Sequence, residues 1–498
     1  MKDKLKALLI AVTVSFLLSL QYIERYTDGK NRMLFYWNNW DGLAIIFSSF
    51  LIGLLFFSVY ELANKFRNRY IVKIVKSFFI LIFSIAVIKD IEWWLFQSTN
   101  HSQQLGILLR FLIYFLYVLV FFAVYLHLFT RKISQKIIGS FVKLCLVFSP
   151  IILVFLITSF SYKAWTASKG TLPYSRKKAW VEDKDRPNVF IFIFDEWSYD
   201  RSYNDKQLLP IFKSLRRFQK ESITFHQAYS PYHGTFRSLP NFIFQNTYDY
   251  GVQNKHLFFE EPGGKKIAIN ELKNIFTTPH RNGYFTAIIG FYHPYVDFLG
   301  NDADFVKSFS SYKRLGENFL AVTAYHLFRN FVLYSFHFFP QITEWAQEVC
   351  HNQYQLRRIS IIHQQTFSII ENVDKPTFAL FHYPIPHKPF VYNQDGPKDI
   401  FQIYEGTVDQ YVDNMAYLDK IIGEIIFTLR QSGKYESSLI IITSDHSWRN
   451  DPNAIEDISH PERRHIPLFV KFPNQKMGYE NNIKLNTSDL FEFLKRTD

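Results

Sequence analysis

Residues 188–196 read NVFIFIFDE. Six branched or aromatic apolar side chains in a row, with no polar position between them, predict a strand buried on both faces. The acidic pair Asp195-Glu196 stops it. Similar runs follow at Ile223–Tyr229, Tyr284–Gly290, Thr377–His382, Leu439–Ser444 and Ile466–Phe472. Between them, Lys206–Lys220, Gln355–Glu371 and Tyr411–Gln431 carry helical spacing. In the last, Met415, Leu418, Ile422, Ile425, Ile426 and Leu429 recur at steps of three and four. Strands alternating with helices predict an α/β domain whose mostly parallel central sheet is covered by helices on both faces. Chemistry in such sheets sits at the carboxyl ends of the strands.

Outside this region the chain changes character. Of 498 residues, 48% are hydrophobic and 18% aromatic, which excludes a disordered chain. Residues 1–160 hold 17 basic and 7 acidic side chains; the remaining 39 and 37 nearly balance. The basic excess therefore belongs to the apolar N-terminal third, and nucleic acid is not an expected partner. Apolar runs at Leu5–Leu20, Leu43–Tyr60, Ile71–Ile88, Leu105–Phe129 and Ile137–Phe160 approach the ~20 residues needed to cross a bilayer.

Basic clusters at Lys2, Lys4 and Lys6, at Lys65–Lys76 and at Arg131–Lys136 predict a cytoplasmic N-terminus, with everything beyond Phe160 outside. The expected organisation is a multi-pass α-helical membrane domain (1–160), a polar linker (161–187) and an extracytoplasmic domain (188–498). Arg110 and Lys143 lie within spans and Arg176, Lys177 and Lys178 within the linker, all open to lipid headgroup contact or to ordinary snorkelling and solvation. Glu317–Pro340 is long and apolar, and reads as a buried or interfacial helix holding the outer domain against the bilayer, or as aromatic core. Only Cys145 and Cys350 are present, so disulfides and cysteine metal clusters are excluded from the outer domain.

Four polar clusters follow predicted strands. Asp195-Glu196 suits a divalent cation, or else a helix cap. GTFRSLP (234–240) places the Thr235 hydroxyl at the start of a helix, where it serves as a nucleophile or a simple cap. HYPIPHKPF (382–390) holds His382 and His387 on a stiff proline turn, either aimed at an anionic group or incidental to it. SDHSW (444–448) offers Asp445 and His446 as mixed oxygen and nitrogen ligands, suited to Zn²⁺ or Mn²⁺. His460 and His465 add two imidazoles within twenty residues.

Taken in this order, the clusters resemble the alkaline phosphatase/sulfatase superfamily, above all its membrane-anchored phosphotransferases, the lipid A phosphoethanolamine transferases and lipoteichoic acid synthases. The resemblance implies a five-helix anchor, a sulfatase-like domain and one or two divalent cations. By it, Thr235 in T-x-x-S-x-P (with Ser238 and Pro240) is nucleophile and ligand, and Glu196 is the strand-end metal acid, with Asp195 the alternative. Asp445 and His446 complete the ligands, and His382 and His387 contact substrate. His460 or His465 fills a further position, and Arg237 is expected at the substrate. Ser447 stands where the family has Gly, and Phe236-Arg237 departs from the sulfatase nucleophile motif.

The resemblance further implies transfer of phosphoethanolamine or phosphoglycerol from a membrane phospholipid to a glycan or glycolipid, through a phospho-threonine, at a bacterial cytoplasmic membrane. The competing expectations are a hydrolase of phosphate or sulfate esters and a non-catalytic lipid sensor. A transporter ranks last, because few charges lie within the spans.

Overall fold

A computed structural model describes residues 2–19, 39–65, 186–253, 256–300, 302–309, 318–335, 340–457 and 460–497, with scattered residues between 70 and 154. The chain divides into two compact units, one formed by Met1–Arg32, Trp37–Gly170 and Arg314–Gln347, the other essentially by Thr171–Lys313 and Glu348–Asp498.

In the first unit the Lys2–Leu18 helix packs on the Asn39–Lys65 helix. Small side chains let them approach: Ser49 Oγ donates to Ser19 Oγ at 2.6 Å, and a methyl on Gly53 would stand 2.9 Å from the Cα of Val12. Among the described residues one helix, Gly42–Lys65, is long and apolar enough to cross a membrane. The expected spans Ile71–Ile88, Leu105–Phe129 and Ile137–Phe160, with Arg110 and Lys143, lie largely or wholly outside the described residues, as does the linker with Arg176–Lys178. The apolar Glu317–Pro340 segment forms the Phe319–Ser335 helix, which packs on the Asn39–Lys65 helix, with Phe319 and Phe47 rings 5.7 Å apart. It belongs to the first unit, with the apolar N-terminal helices.

The second unit is built on an eight-stranded sheet. Its strands, in chain order, are β1 (Val189–Phe194), β2 (Ile223–Phe225), β3 (Phe285–Phe291), β4 (Phe305–Phe309), β5 (Thr377–Tyr383), β6 (Leu439–Ser444), β7 (Leu468–Lys471) and β8 (Tyr479–Asn481). They lie in the order β4-β3-β5-β1-β6-β7-β2-β8. The first five are parallel, β7 runs antiparallel to β6 and β2, and β8 returns parallel to β2.

The uninterrupted apolar run of β1 is explained by its place at the centre. Phe190, Phe192 and Phe194 enter one core with Tyr411, Met415, Leu418 and Ile422 of the Val408–Gln431 helix. Ile191 and Ile193 enter the other with Leu239, Phe242 and Ile243 of the Thr235–Phe244 helix. Thr407 starts the Val408–Gln431 helix with a capping box closed by Gln410.

Three local expectations shift. Ile223–Tyr229 breaks after Phe225, and Ala228–Tyr229 pairs separately with Leu485–Asn486. The helix expected over Lys206–Lys220 spans only Lys213–Gln219, because Pro210 disfavours helical geometry in the residue before it. Gln355–Glu371 is part of a longer helix, Pro340–Asn372.

Candidate cation and phosphoryl site

Three adjacent strands set the site. Phe194 of β1 lies level with Tyr383 of β5 and Ser444 of β6, so the segments leaving them emerge side by side. Thr235, the first residue of its helix, reaches this edge through the loop after β2.

The Thr235 hydroxyl stands 3.2 Å from Asp195 Oδ1 and 3.2 Å from His446 Nε2. His446 Nε2 is also 3.3 Å from Asp195 Oδ1 and 3.6 Å from Asp445 Oδ2. Ligand atoms of Asp195, Asp445 and His446 all lie within 4.8 Å of one another, and all three residues are buried. His446 Nδ1–H donates to the backbone carbonyl of Ser447 at 2.8 Å, which turns Nε2 towards the pocket. Asp445 Oδ1 accepts the backbone N–H groups of Glu196 and His446, and Ser238 donates to the Asp445 carbonyl.

The pocket is short of positive charge. Buried Asp445 Oδ2 and His382 Nε2 have no hydrogen-bond partner, and the two atoms face each other at 3.7 Å. Burial alone would push the Asp445 carboxyl up, but His446 and His382 hold it well below the usual carboxylate range. Burial alone would push the His446 imidazole down; instead Asp445 and Asp195 raise it to about 9. Two buried carboxylates, a hydroxyl and an imidazole nitrogen around an unsatisfied oxygen form a donor set that fits a divalent cation.

Of the two acids, it is Asp195 that the structure brings to Asp445 and His446. Glu196, the first choice from sequence, turns away: its backbone takes φ +64°, and its Oε1 meets Arg449 Nε at 2.5 Å. His382 is fully buried against Phe291, and its Nδ1 lies 3.0 Å from the Tyr295 hydroxyl, so it sits at the cation pocket. His387 is at the mouth, with Nε2 3.9 Å from Glu196 Oε2 and 3.2 Å from Arg449 Nη2.

The remaining residues expected at the site lie elsewhere. Arg237 pairs with Asp249 at 3.1 Å, both half exposed. The His460 side chain accepts from the Glu462 backbone N–H and starts a short 3₁₀ turn. His465 is stacked between Tyr199 and Tyr229, with Nδ1 3.1 Å from Asp200 and Nε2 2.9 Å from the His226 carbonyl. Its aromatic slot, set by the segments after β1 and β2, holds it away from the pocket.

Two residues carry no sequence pattern that singles them out. His293 Nε2 donates to the Thr235 carbonyl at 2.9 Å, and burial lowers its ring to about 3, so it is neutral. Arg449 lies five residues past the end of β6.

A family model described as Sulfatase matches residues 187–494. The chain belongs to the sulfatase family. Its relatives include lipoteichoic acid synthase 1 of Bacillus subtilis (strain 168), 24% identical over 120 residues, or 22% of this chain and 19% of that one. Lipoteichoic acid synthase of Staphylococcus aureus (strain USA300) is 27% identical over 106 residues, or 19% of this chain and 16% of that one. The chain thus matches less than a fifth of the length of these relatives. Among solved structures, the phosphonate monoester hydrolase of Agrobacterium radiobacter is 14% identical with TM-score 0.40, covering 63% of this chain and 73% of that one. PsFucS1 sulfatase from Pseudoalteromonas sp. is 16% identical with TM-score 0.42, covering 62% and 67%.

Proposed function

We propose that this protein is a cation-dependent membrane phosphotransferase. It takes a substituted phosphoryl group, phosphoethanolamine or phosphoglycerol, from a membrane phospholipid and passes it to a glycan or glycolipid through Thr235. The N-terminal helices anchor it by several spans in a bacterial cytoplasmic membrane, and the sulfatase-family unit lies outside. The observation that carries this reading is the Thr235 hydroxyl at a helix start, 3.2 Å from both a buried carboxylate and a buried imidazole. Similarity to lipoteichoic acid synthases supports the transfer of a phospholipid headgroup over plain hydrolysis.

Asp195, Asp445, His446 and the Thr235 hydroxyl would hold the cation, Zn²⁺ or Mn²⁺, with His382 beside it. A bound divalent ion supplies Lewis acidity, which lowers the pKa of a neighbouring hydroxyl. Thr235 Oγ1 forms the new bond to phosphorus as the bond from phosphorus to the diacylglycerol oxygen breaks. Asp195 Oδ1 receives the Thr235 proton at 3.2 Å. His387 stands at the mouth beside the departing diacylglycerol oxygen, which takes its proton from solvent there. The N–H groups of the first helical turn face the developing negative charge. In the second half the acceptor hydroxyl displaces Thr235, and the same groups work in reverse.

The test is mass spectrometry of the full chain after incubation with phospholipid and Mn²⁺. The expected result is an adduct on Thr235 whose added mass names the headgroup, absent from Thr235→Ala. An active Thr235→Ala variant would exclude the mechanism. Label released only to water, and never to a glycan, would make the protein a hydrolase.

A further inference from the structure

Arg449 is a cation at the mouth of the pocket, and the mechanism above leaves it unused. Its place in the chain is fixed by its neighbour. Trp448 is buried and lies flat on Tyr411, with ring centroids 4.1 Å apart and planes 3° apart. Tyr411 in turn donates its hydroxyl to the Glu196 carbonyl at 2.6 Å. One stacked pair thus holds both the start of the arginine side chain and the backbone of its partner.

The guanidinium is divided between two partners. Nε binds Glu196 Oε1 at 2.5 Å, and the Glu196 carboxylate is almost wholly buried. Nη2 lies 3.2 Å from His387 Nε2. His387 Nδ1 is 2.5 Å from the Lys388 carbonyl, so the proton sits there and Nε2 accepts from the arginine. Nη1 lies 3.8 Å from where a Cβ on Gly234 would stand, over the residue preceding Thr235. The Arg449 side chain is 47% exposed, so it meets solvent while its anchor does not.

Only Nε is committed to a buried carboxylate. The Nη1 and Nη2 edge spans the entrance between the Thr235 helix start and the histidine turn. A planar pair of donors held this way matches two oxygens of one tetrahedral anion.

We infer that Arg449 binds the non-bridging oxygens of the transferred phosphoryl group through Nη1 and Nη2, and that Glu196 is the positioning residue that aims it. The inference rests on the phosphotransferase reading and deepens it. Glu196 then orients a substrate cation instead of ligating the metal. The recognised class is a phosphate mono- or diester anion presented at the mouth.

The experiment is calorimetric titration of inorganic phosphate into the Mn²⁺-loaded full chain in detergent, with bound Mn²⁺ measured in parallel. Arg449→Gln is expected to weaken phosphate binding about tenfold or more, as loss of two charge-assisted hydrogen bonds requires. Bound Mn²⁺ is expected to stay unchanged. Arg449→Lys should recover part of the affinity, and Glu196→Gln should weaken phosphate binding at unchanged Mn²⁺. Because Arg449→Gln leaves Glu196 buried and unpaired, the double variant Glu196→Gln/Arg449→Gln is measured as well; it removes both charges and is expected to show the same loss of affinity. Native phosphate affinity in the double variant, loss of Mn²⁺ with Arg449→Lys, or no phosphate binding by the native chain would each overturn the inference. A Thr235 adduct that still forms in those cases would leave the phosphotransferase reading standing.

Discussion

His293 supplies a sharp test of how the nucleophile is held. Its ring is buried, its Nε2 donates to the Thr235 carbonyl, and burial lowers it from 6.5 to about 3. A group held neutral in the fold but protonated when unfolded stabilises the protein above its unfolded pKa, near 6.5. That contribution is lost as pH falls towards 3. With those two values the loss between pH 8 and pH 5 is about 2 kcal/mol. His293→Gln keeps a donor at the place of Nε2 and removes the titration. The assay is urea unfolding of the full chain in detergent, followed by tryptophan fluorescence, at pH 8 and pH 5 for both proteins. Other groups titrate equally in the two chains and cancel. The variant should lose about 2 kcal/mol less than the native protein over this interval. Equal losses would show that His293 is not a buried neutral donor, and the account of the Thr235 backbone would fall with it.

Two further outcomes follow from the same geometry. Asp195→Asn should reduce bound divalent metal, measured by plasma mass spectrometry, whereas Glu196→Gln should leave it near native; the reverse order would restore Glu196 as the ligand. Gly290→Ala should damage the pocket from behind, since its Cβ would lie 2.8 Å from His382 Cβ and 2.9 Å from the Tyr295 hydroxyl. Thermal unfolding is expected to show a loss of about 1–3 kcal/mol, typical of an overfilled core, together with reduced transfer activity.

The sheet and the meeting of the four clusters were legible because both rest on patterns that survive without tertiary context. An apolar strand followed by a polar turn announces itself at Asn188–Glu196, Thr377–His382 and Leu439–His446. The edge strand Phe305–Phe309 was not seen, since FVKSF is short and interrupted by Lys307 and Ser308, of which Lys307 is exposed. Arg449 and His293 are single residues in loops, and only packing gives them a role. His465 misled because a histidine near a metal-type motif reads as a ligand, while two tyrosines from other segments decide where its ring goes. The apolar Phe319–Ser335 helix was ambiguous for a related reason: composition alone does not distinguish core from membrane-associated helix.

The choice between Asp195 and Glu196, by contrast, was written in the period of the strand. Side chains alternate across a sheet, so residues two apart share a face. Ile191 and Ile193 enter the core that the Thr235–Phe244 helix covers, as do Leu380 of β5 and Ile441 of β6. Continuing each strand by its own period puts Asp195, His382 and Asp445 on that same face, beneath Thr235. Glu196 falls on the opposite face, with Phe192 and Phe194, where Tyr411 and Trp448 wait. The cation pocket is therefore one face of the sheet carried a residue or two past its edge, and the Glu196–Arg449 pair is the other. A single-residue slip of β1 would exchange the two acids and place the longer carboxylate under the nucleophile. The register Phe194 with Tyr383 and with Ser444 is thus as much a part of the site as any of its donors.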